Sequence, residues 1–385
     1  MRTLAVEGYR SLRSLVVGLD RLNVVTGANG AGKSSLYRAL RLLADSARNG
    51  AVAALAREGG LESALWAGPE RIGRAVREGV HPVQGTVRAS RVSVKLGFAG
   101  ADFGYAVDLG LPAAMRSAFD LDPEVKAEAT WGGPVLRPGT LLAERKGAVV
   151  RIRADRAWEI VPREVQAFDS MLSEVADPVR APDLLVLRER MRSWRFYDHL
   201  RTDSDAPGRQ VRVGTRTPVL AGDGSDVAAA LQTIREIGDS DGLDAAVERG
   251  LPGSRVEIAA VGGGRLEVTL RQHGLLRPLG GAELSDGTLR YLLWVAALLT
   301  PRPPELLVLN EPETSLHPDL LDPLGELIAE AAERTQVIVV THARPLVIAL
   351  EKRGARTVEL VKDFGETRIA GQDPLDGPAW VWPKR

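Results

Sequence analysis

"GANGAGKSS", residues 27–35, fits the pattern G-x-x-x-x-G-K-[ST] with Gly27, Gly32, Lys33 and Ser34. The flanking residues supply the context that the pattern needs. "SLVVGLDRLNVVTG" reads as short strands, the last one buried and ending at Gly27. A helix is expected from about Ser34 to Ala47, with Leu36, Leu40 and Leu43 at helical spacing. Between strand and helix, the glycines let the main chain of Gly27, Ala28, Asn29, Gly30, Ala31, Gly32, Lys33, Ser34 and Ser35 wrap an anion. The helix N-terminus adds partial positive charge. Lys33 is expected to reach the β- and γ-phosphates of a nucleotide, and the Ser34 hydroxyl to ligate Mg²⁺. A glycine-rich turn can match the pattern by chance, but Lys33 and Ser34 in strand–loop–helix context favour phosphate binding.

A phosphate loop needs acids elsewhere in the chain. In "LLVLNEPETSLHP" (306–318) four apolar residues run straight into carboxylates, as a buried strand does when it delivers acids to a nucleotide. Glu311 comes directly after the strand and is the expected base or water-orienting group. Asn310 takes the metal-side position, where its amide oxygen can accept from a metal-bound water without adding charge. His342 ends a second apolar run, "VIVVTH", 31 residues beyond Glu311, and is expected to sense the γ-phosphate and hold the attacking water. Ser285 lies 26 residues before Glu311, in "ELSDGTLRYLLWVAALL". Its Ser285-Asp286-Gly287 turn at a helix start offers a hydroxyl, main-chain N–H groups and a dipole end, a second phosphate-binding element.

The 385 residues carry 50 Lys+Arg against 50 Asp+Glu, so global charge gives no support to nucleic-acid binding. The absence of cysteine excludes disulfides and thiolate metal sites. The charged N-terminus lacks the core of a signal peptide, and the best apolar run, "YLLWVAALL" (291–299), is too short for a bilayer, so a cytoplasmic location and no membrane partner are expected. From about Thr86 to Pro162 the texture is antiparallel β, including a Lys146-Gly147 turn. Residues 163–250 read as helical, with "REVQAFDSMLSEV", "PDLLVLRERMRSWRFYDHL" and "GSDVAAALQTIREIG". "RVEIAAVGGGRLEVTLRQ" reads as a hairpin over Gly262–Gly264, and the remainder alternates helix and strand. The fold class expected is α/β: a P-loop core of mixed sheet with helices, an antiparallel β subdomain and a helical insertion. Residues 1–162 and 251–385 would form one discontinuous head, and 163–250 an insertion or lid.

These elements in this order resemble the ABC-type ATPase superfamily, in its SMC/RecF-like soluble branch. "GANGAGKSS" looks like Walker A, "LSDGT" like the signature motif, "LLVLNEPETSLHP" like Walker B with its D-loop, and "VVTH" like the switch-histidine strand. "RSWRFYDHLRTDSDAP" and "LSDGTLRYLLWVAALL" resemble, more narrowly, bacterial AAA-family ATPases of similar length. The resemblance implies ATP and Mg²⁺ as cofactors, and a head-to-head homodimer holding two ATP molecules. Lys33 and Ser34 of one copy would then face Ser285 and Gly287 of the other. Three departures stand out: Asp286 replaces a second glycine, Asn310 replaces aspartate, and the Q-loop glutamine could be Gln84 or Gln166. No long coiled coil separates the halves, and the 43 residues after His342 are too few for a TOPRIM nuclease domain. Two partner classes stay open. DNA is suggested by the arginines and aromatics of "RERMRSWRFYDHLR" (188–201), read as a helix. The neutral net charge suits a nucleotide-gated switch that recruits a protein.

Overall fold

The computed structural model describes residues 1–48, 50–68, 92–112, 118–154, 157–198, 200–373 and 376–385. They fall into two compact units. One holds residues 1–20, 27–193 and 358–385; the other holds 21–26 and 194–357. The segment read as one helical insertion, 163–250, contributes to both.

The first unit is built on an eight-stranded antiparallel sheet. In order they are Leu12–Gly18, Thr3–Tyr9, Val94–Ala99, Phe103–Gly110, Glu124–Gly132, Leu141–Lys146, Val149–Ala154 and Ala157–Ile160. The helix Lys33–Ser46 packs on the sheet through Leu36, Leu40 and Leu43, all buried. Near the C-terminus, Trp380 sits edge-on to Trp131 with ring centres 5.6 Å apart, and Arg385 pairs with Asp108 at 2.6 Å.

A buried ion pair ties this sheet to the chain beyond it. Glu128 and Arg145 lie 3.4 Å apart with side chains fully excluded from solvent. Burial of two charges is tolerated only when the remaining donors and acceptors are matched. Here Glu128 accepts from Tyr105 Oη at 2.6 Å, Ser170 Oγ at 2.5 Å and the Met171 N–H at 2.7 Å. Burial, followed by the Glu128 charge, pushes the Tyr105 phenol well above its ordinary pKa and keeps it a donor. Arg145 donates to the main-chain oxygens of Gly147, Val165, Gln166 and Asp169. This corrects the expected helix over 163–175. Carbonyls taken by a guanidinium are lost to a helical ladder, and only Met171–Glu174 is helical.

The second unit is centred on parallel strands in the order Arg195–Tyr197, Leu306–Asn310, Gln336–Val340 and Leu22–Gly27. Continuous apolar runs such as "LLVL" and "VIVV" fit strands covered on both faces. The helices Asp286–Leu298, Leu321–Ala332, Arg344–Glu351, Val227–Ile237 and Ser240–Gly250 contribute to one core with them. A small antiparallel sheet adds the expected hairpin, Ser254–Gly262 with Arg265–Gln272.

The arginine–aromatic helix over 188–201 is a second correction. The helix runs Pro182–Ser193 and stops, and Arg195–Tyr197 is a strand in parallel register with Leu307–Leu309. Tertiary packing overrides local helix propensity here. Trp194 and Tyr197 are buried, Tyr197 stands edge-on to Trp294 with centres 6.2 Å apart, and its hydroxyl donates to Leu220 O at 2.8 Å. Among the described residues no helix is long and apolar enough to cross a membrane.

Replacing Arg145 with methionine leaves Glu128 buried and unpaired and should cost about 3–5 kcal/mol. A denaturant titration should show the transition moving to lower concentration; an unmoved midpoint would refute the role given to this pair.

Candidate functional site

In the first unit the glycine loop Gly27–Ser35 is shaped by positive φ angles and by the residues that press on it. Gly27, Gly30 and Gly32 have φ of 141°, 78° and 111°, values disfavoured for any residue with a Cβ. A Cβ on Gly27 would sit 2.3 Å from Leu360 O, and one on Gly32 would sit 2.2 Å from Thr367 Oγ1. Thr367 Oγ1 donates to Ala31 O at 2.8 Å and bonds Ser11 Oγ at 2.8 Å; Ser11 Oγ in turn lies 3.4 Å from Ser35 Oγ. Residues from both ends of the chain thus clamp one face of the loop, while Ala28, Asn29, Gly30 and Ser34 are exposed on it. No side chain caps the helix that begins at Lys33. The Lys33 ammonium donates to Gly27 O at 2.7 Å and Ala28 O at 3.1 Å. A glycine cradle, an uncapped helix start, a lysine and an exposed serine hydroxyl are the donor set that a Mg²⁺-bound polyphosphate requires.

In the second unit parallel pairing places Asn310 opposite Val340, so both strands end at one level. The Glu311 N–H donates to Val340 O at 2.7 Å, and the Thr341 N–H to Val25 O at 3.0 Å. Glu311 is then turned into the left-handed region, with φ 47°. Such a conformation costs a non-glycine residue on the order of 1 kcal/mol and tends to persist where function holds it. Its carboxylate, half exposed, lies 3.3 Å from His342 Nδ1. Asn310 and Glu311, read from one stretch, and His342, read from another, therefore share one edge of this sheet.

Sequence reasoning missed Glu313. Its side chain is largely buried, and its Oε1 accepts from Thr341 Oγ1, from the N–H of His342 at 3.4 Å and from the N–H of Ala343 at 3.3 Å. His342 Nδ1 is 3.6 Å from the same oxygen. Glu313 thus holds the turn that carries His342 into the helix Arg344–Glu351. The available signal was a second acid two residues after Glu311.

Ser285 is the N-cap of the helix Asp286–Leu298, its Oγ accepting from the Thr288 N–H at 3.1 Å. A Cβ on Gly287 would lie 3.1 Å from Ser315 O, so the glycine allows this turn to approach the loop after Glu311. Asp286 is paired with Arg209 at 2.7 Å, a partner that sequence reasoning also missed. Of the Q-loop candidates, Gln84 lies outside the described residues. Gln166 is exposed, and its main-chain oxygen serves Arg145.

The family described as "AAA domain, putative AbiEii toxin, Type IV TA system" matches residues 22–104 and 153–349. No curated protein matches the chain. Among solved structures, an SMC head bound to the C-winged helix domain of ScpA is 14% identical, with 96% of each chain covered and a TM-score of 0.51. An SMC head with an extended coiled coil, bound to the C-terminal domain of ScpA and derived from Pyrococcus furiosus, is 12% identical over 96% of this chain and 95% of that one, with a TM-score of 0.49. The SMC head from Thermotoga maritima is 16% identical over 97% and 100%, with a TM-score of 0.43. At 14% identity and a TM-score of 0.51, the likeness to the first of these is one of fold, and it agrees with the α/β class expected from the motifs.

Glu313→Ala removes a charged acceptor from three donors, an effect of roughly 1.5–3 kcal/mol locally. Amide hydrogen exchange in peptides covering residues 341–347 should accelerate by about tenfold or more, with the first unit's sheet unchanged. Unchanged exchange there would show that Glu313 does not hold the turn.

Proposed function

The chain belongs to this AAA-domain family of ATPases, and from that premise we propose that it is a Mg²⁺-dependent, slowly hydrolysing ATPase whose ATP-bound form is a head-to-head homodimer. The observation that carries the reading is Glu311, held at φ 47° at a strand end with its carboxylate 3.3 Å from His342 Nδ1. A left-handed carboxylate beside an imidazole has no evident use in the fold and suits the orientation of a water.

In this reading the N–H groups of Gly27–Ser35 and the Lys33 ammonium bind the β- and γ-phosphates, Lys33 giving up its carbonyl contacts for phosphate oxygens. Ser34, and Asn310 through a water, would hold Mg²⁺, which when bound spreads the developing charge on the phosphates. Glu311 orients the attacking water and accepts its proton, and His342 keeps that water in place. Ser285 and Gly287 of a second copy, with Asp286 between them, close on the terminal phosphate through a hydroxyl and the helix N-terminus. The turnover products are ADP and phosphate.

Of the two partner classes, the observations favour a nucleotide-gated switch in the cytoplasm that recruits a protein. The helix that suggested DNA ends at Ser193, and its arginines are engaged. Arg190 pairs with Asp102 at 3.2 Å and lies over the Phe103 ring, Arg188 and Arg192 pair with Glu189 at 3.4 and 3.2 Å, and Arg201 is bidentate on Asp203. The SMC head with the TM-score of 0.51 is itself bound to a winged-helix domain, a protein partner. ATP-dependent DNA binding that weakens steeply with salt would reinstate the DNA reading.

Glu311→Gln should lower phosphate release by about 10²-fold or more and trap an ATP-bound dimer. Light scattering with ATP and Mg²⁺ that finds this variant monomeric would rule out the sandwich. Asn310→Asp restores a charge next to the metal and should lower the Mg²⁺ concentration for half-maximal turnover several-fold, roughly the effect of one carboxylate; no change in a Mg²⁺ titration would show that position 310 does not reach the metal.

A further inference from the structure

An acidic residue inside a turn that must receive a polyphosphate is an electrostatic contradiction, and Asp286 is such a residue. The second unit resolves it with Arg209, at the end of the short 3-10 helix Pro207–Arg209. The Arg209 side chain is only 7% exposed, against 59% for Asp286. Its Nη2 donates to Asp286 Oδ1 at 2.7 Å and to Thr202 O at 2.7 Å. Its Nη1 donates to Leu284 O at 2.5 Å and Gly281 O at 3.1 Å, and its Nε to Thr202 O and Asp203 O at 3.0 Å each. The fork therefore grips the main chain immediately before Ser285 and the carboxylate immediately after it. One turn along the helix, burial holds the Arg290 guanidinium below its ordinary pKa, and the Asp286 charge opposes that shift.

We propose that Arg209 is a positioning residue for the signature turn: it fixes the Ser285 N-cap and masks the Asp286 charge, so that the turn can accept the terminal phosphate of ATP held by a second copy. This rests on the ATPase reading above. A guanidinium suits the task because it satisfies several acceptors in one plane while staying charged. Arg209 does not touch the nucleotide; it acts through Asp286 and Ser285.

Masking and mere structural support predict different things for double variants. Arg209→Gln should lower kcat by about tenfold or more, the scale of losing an aligned transition-state donor. Binding of a fluorescent ATP analogue, which needs Lys33, should stay unchanged. Adding Asp286→Asn to Arg209→Gln removes the unmasked charge and should recover about fivefold of the lost turnover, as relief of like-charge contact predicts. Arg209→Lys, which keeps the charge, should fall between wild type and Arg209→Gln. A double variant no faster than Arg209→Gln, with both as resistant to thermal unfolding as each other, would overturn the masking role. Should Arg209→Gln fail to fold, Asp286→Gly decides alone. Removing the residual negative charge should lower the ATP concentration for half-maximal turnover about threefold, and a loss of turnover instead would overturn the proposal. Wild-type protein without any ATP turnover would overturn the ATPase reading itself, and this inference with it.

Discussion

The second unit depends on the parallel register of three buried strands. Leu306–Asn310 pairs residue for residue with Gln336–Val340, and Val337–Val340 with Leu22–Val25. Parallel strands all end at the same edge, so the residues after each strand leave from that edge. Asn310 leads into Glu311, and Val340 into Thr341 and His342. A slip of one residue in either ladder would offset the strand ends and separate the polar residues that follow them. The burial of those strands thereby fixes the position of the exposed chemistry at their tips.

At that edge the arrangement of charge is uneven. Glu311 and Glu313 both approach His342 Nδ1, while the residue before them is a neutral amide. Glu313 spends its oxygen on main-chain N–H groups and a threonine hydroxyl, and is fixed by them. Glu311, with its carboxylate half exposed, is the one oriented outward. Two acids two residues apart thus take different roles because one is buried among donors and the other is not. A comparable pairing occurs at the Ser285–Gly287 turn, where Arg209 meets the Asp286 carboxylate.

Local features were the legible ones. The phosphate loop, its helix, the hairpin over Gly262–Gly264 and the Lys146-Gly147 turn are each set by residues within a few positions of one another, so pattern and turn chemistry suffice. The strand Glu124–Gly132 is hard to see in the sequence although Val125, Ala127, Ala129 and Trp131 alternate into the core, because alanine, glutamate and lysine are weak strand formers. The continuation of a helix through Arg195–Tyr197 failed for a non-local reason: an open strand edge at Leu307–Leu309 captures that segment. Arg209 and Glu313 were invisible as functional residues because their partners lie up to 77 and 30 positions away. Nothing local distinguishes an arginine that will cage a turn from one bound for solvent.

The clamp on the phosphate loop has a consequence for the order in which the protein is made. The loop and the lysine it carries precede Leu360 and Thr367 by more than 300 positions, but Gly27 packs against Leu360, and Ala31 and Gly32 against Thr367. A nascent chain would expose the glycine-rich segment long before the strands Arg356–Asp363 and Glu366–Ile369 exist to shape it. Because domains tend to fold as units during synthesis, a loop closed by these two strands stays unshaped until both have been made. Chains that stop before Leu360 would then lack the shaped loop.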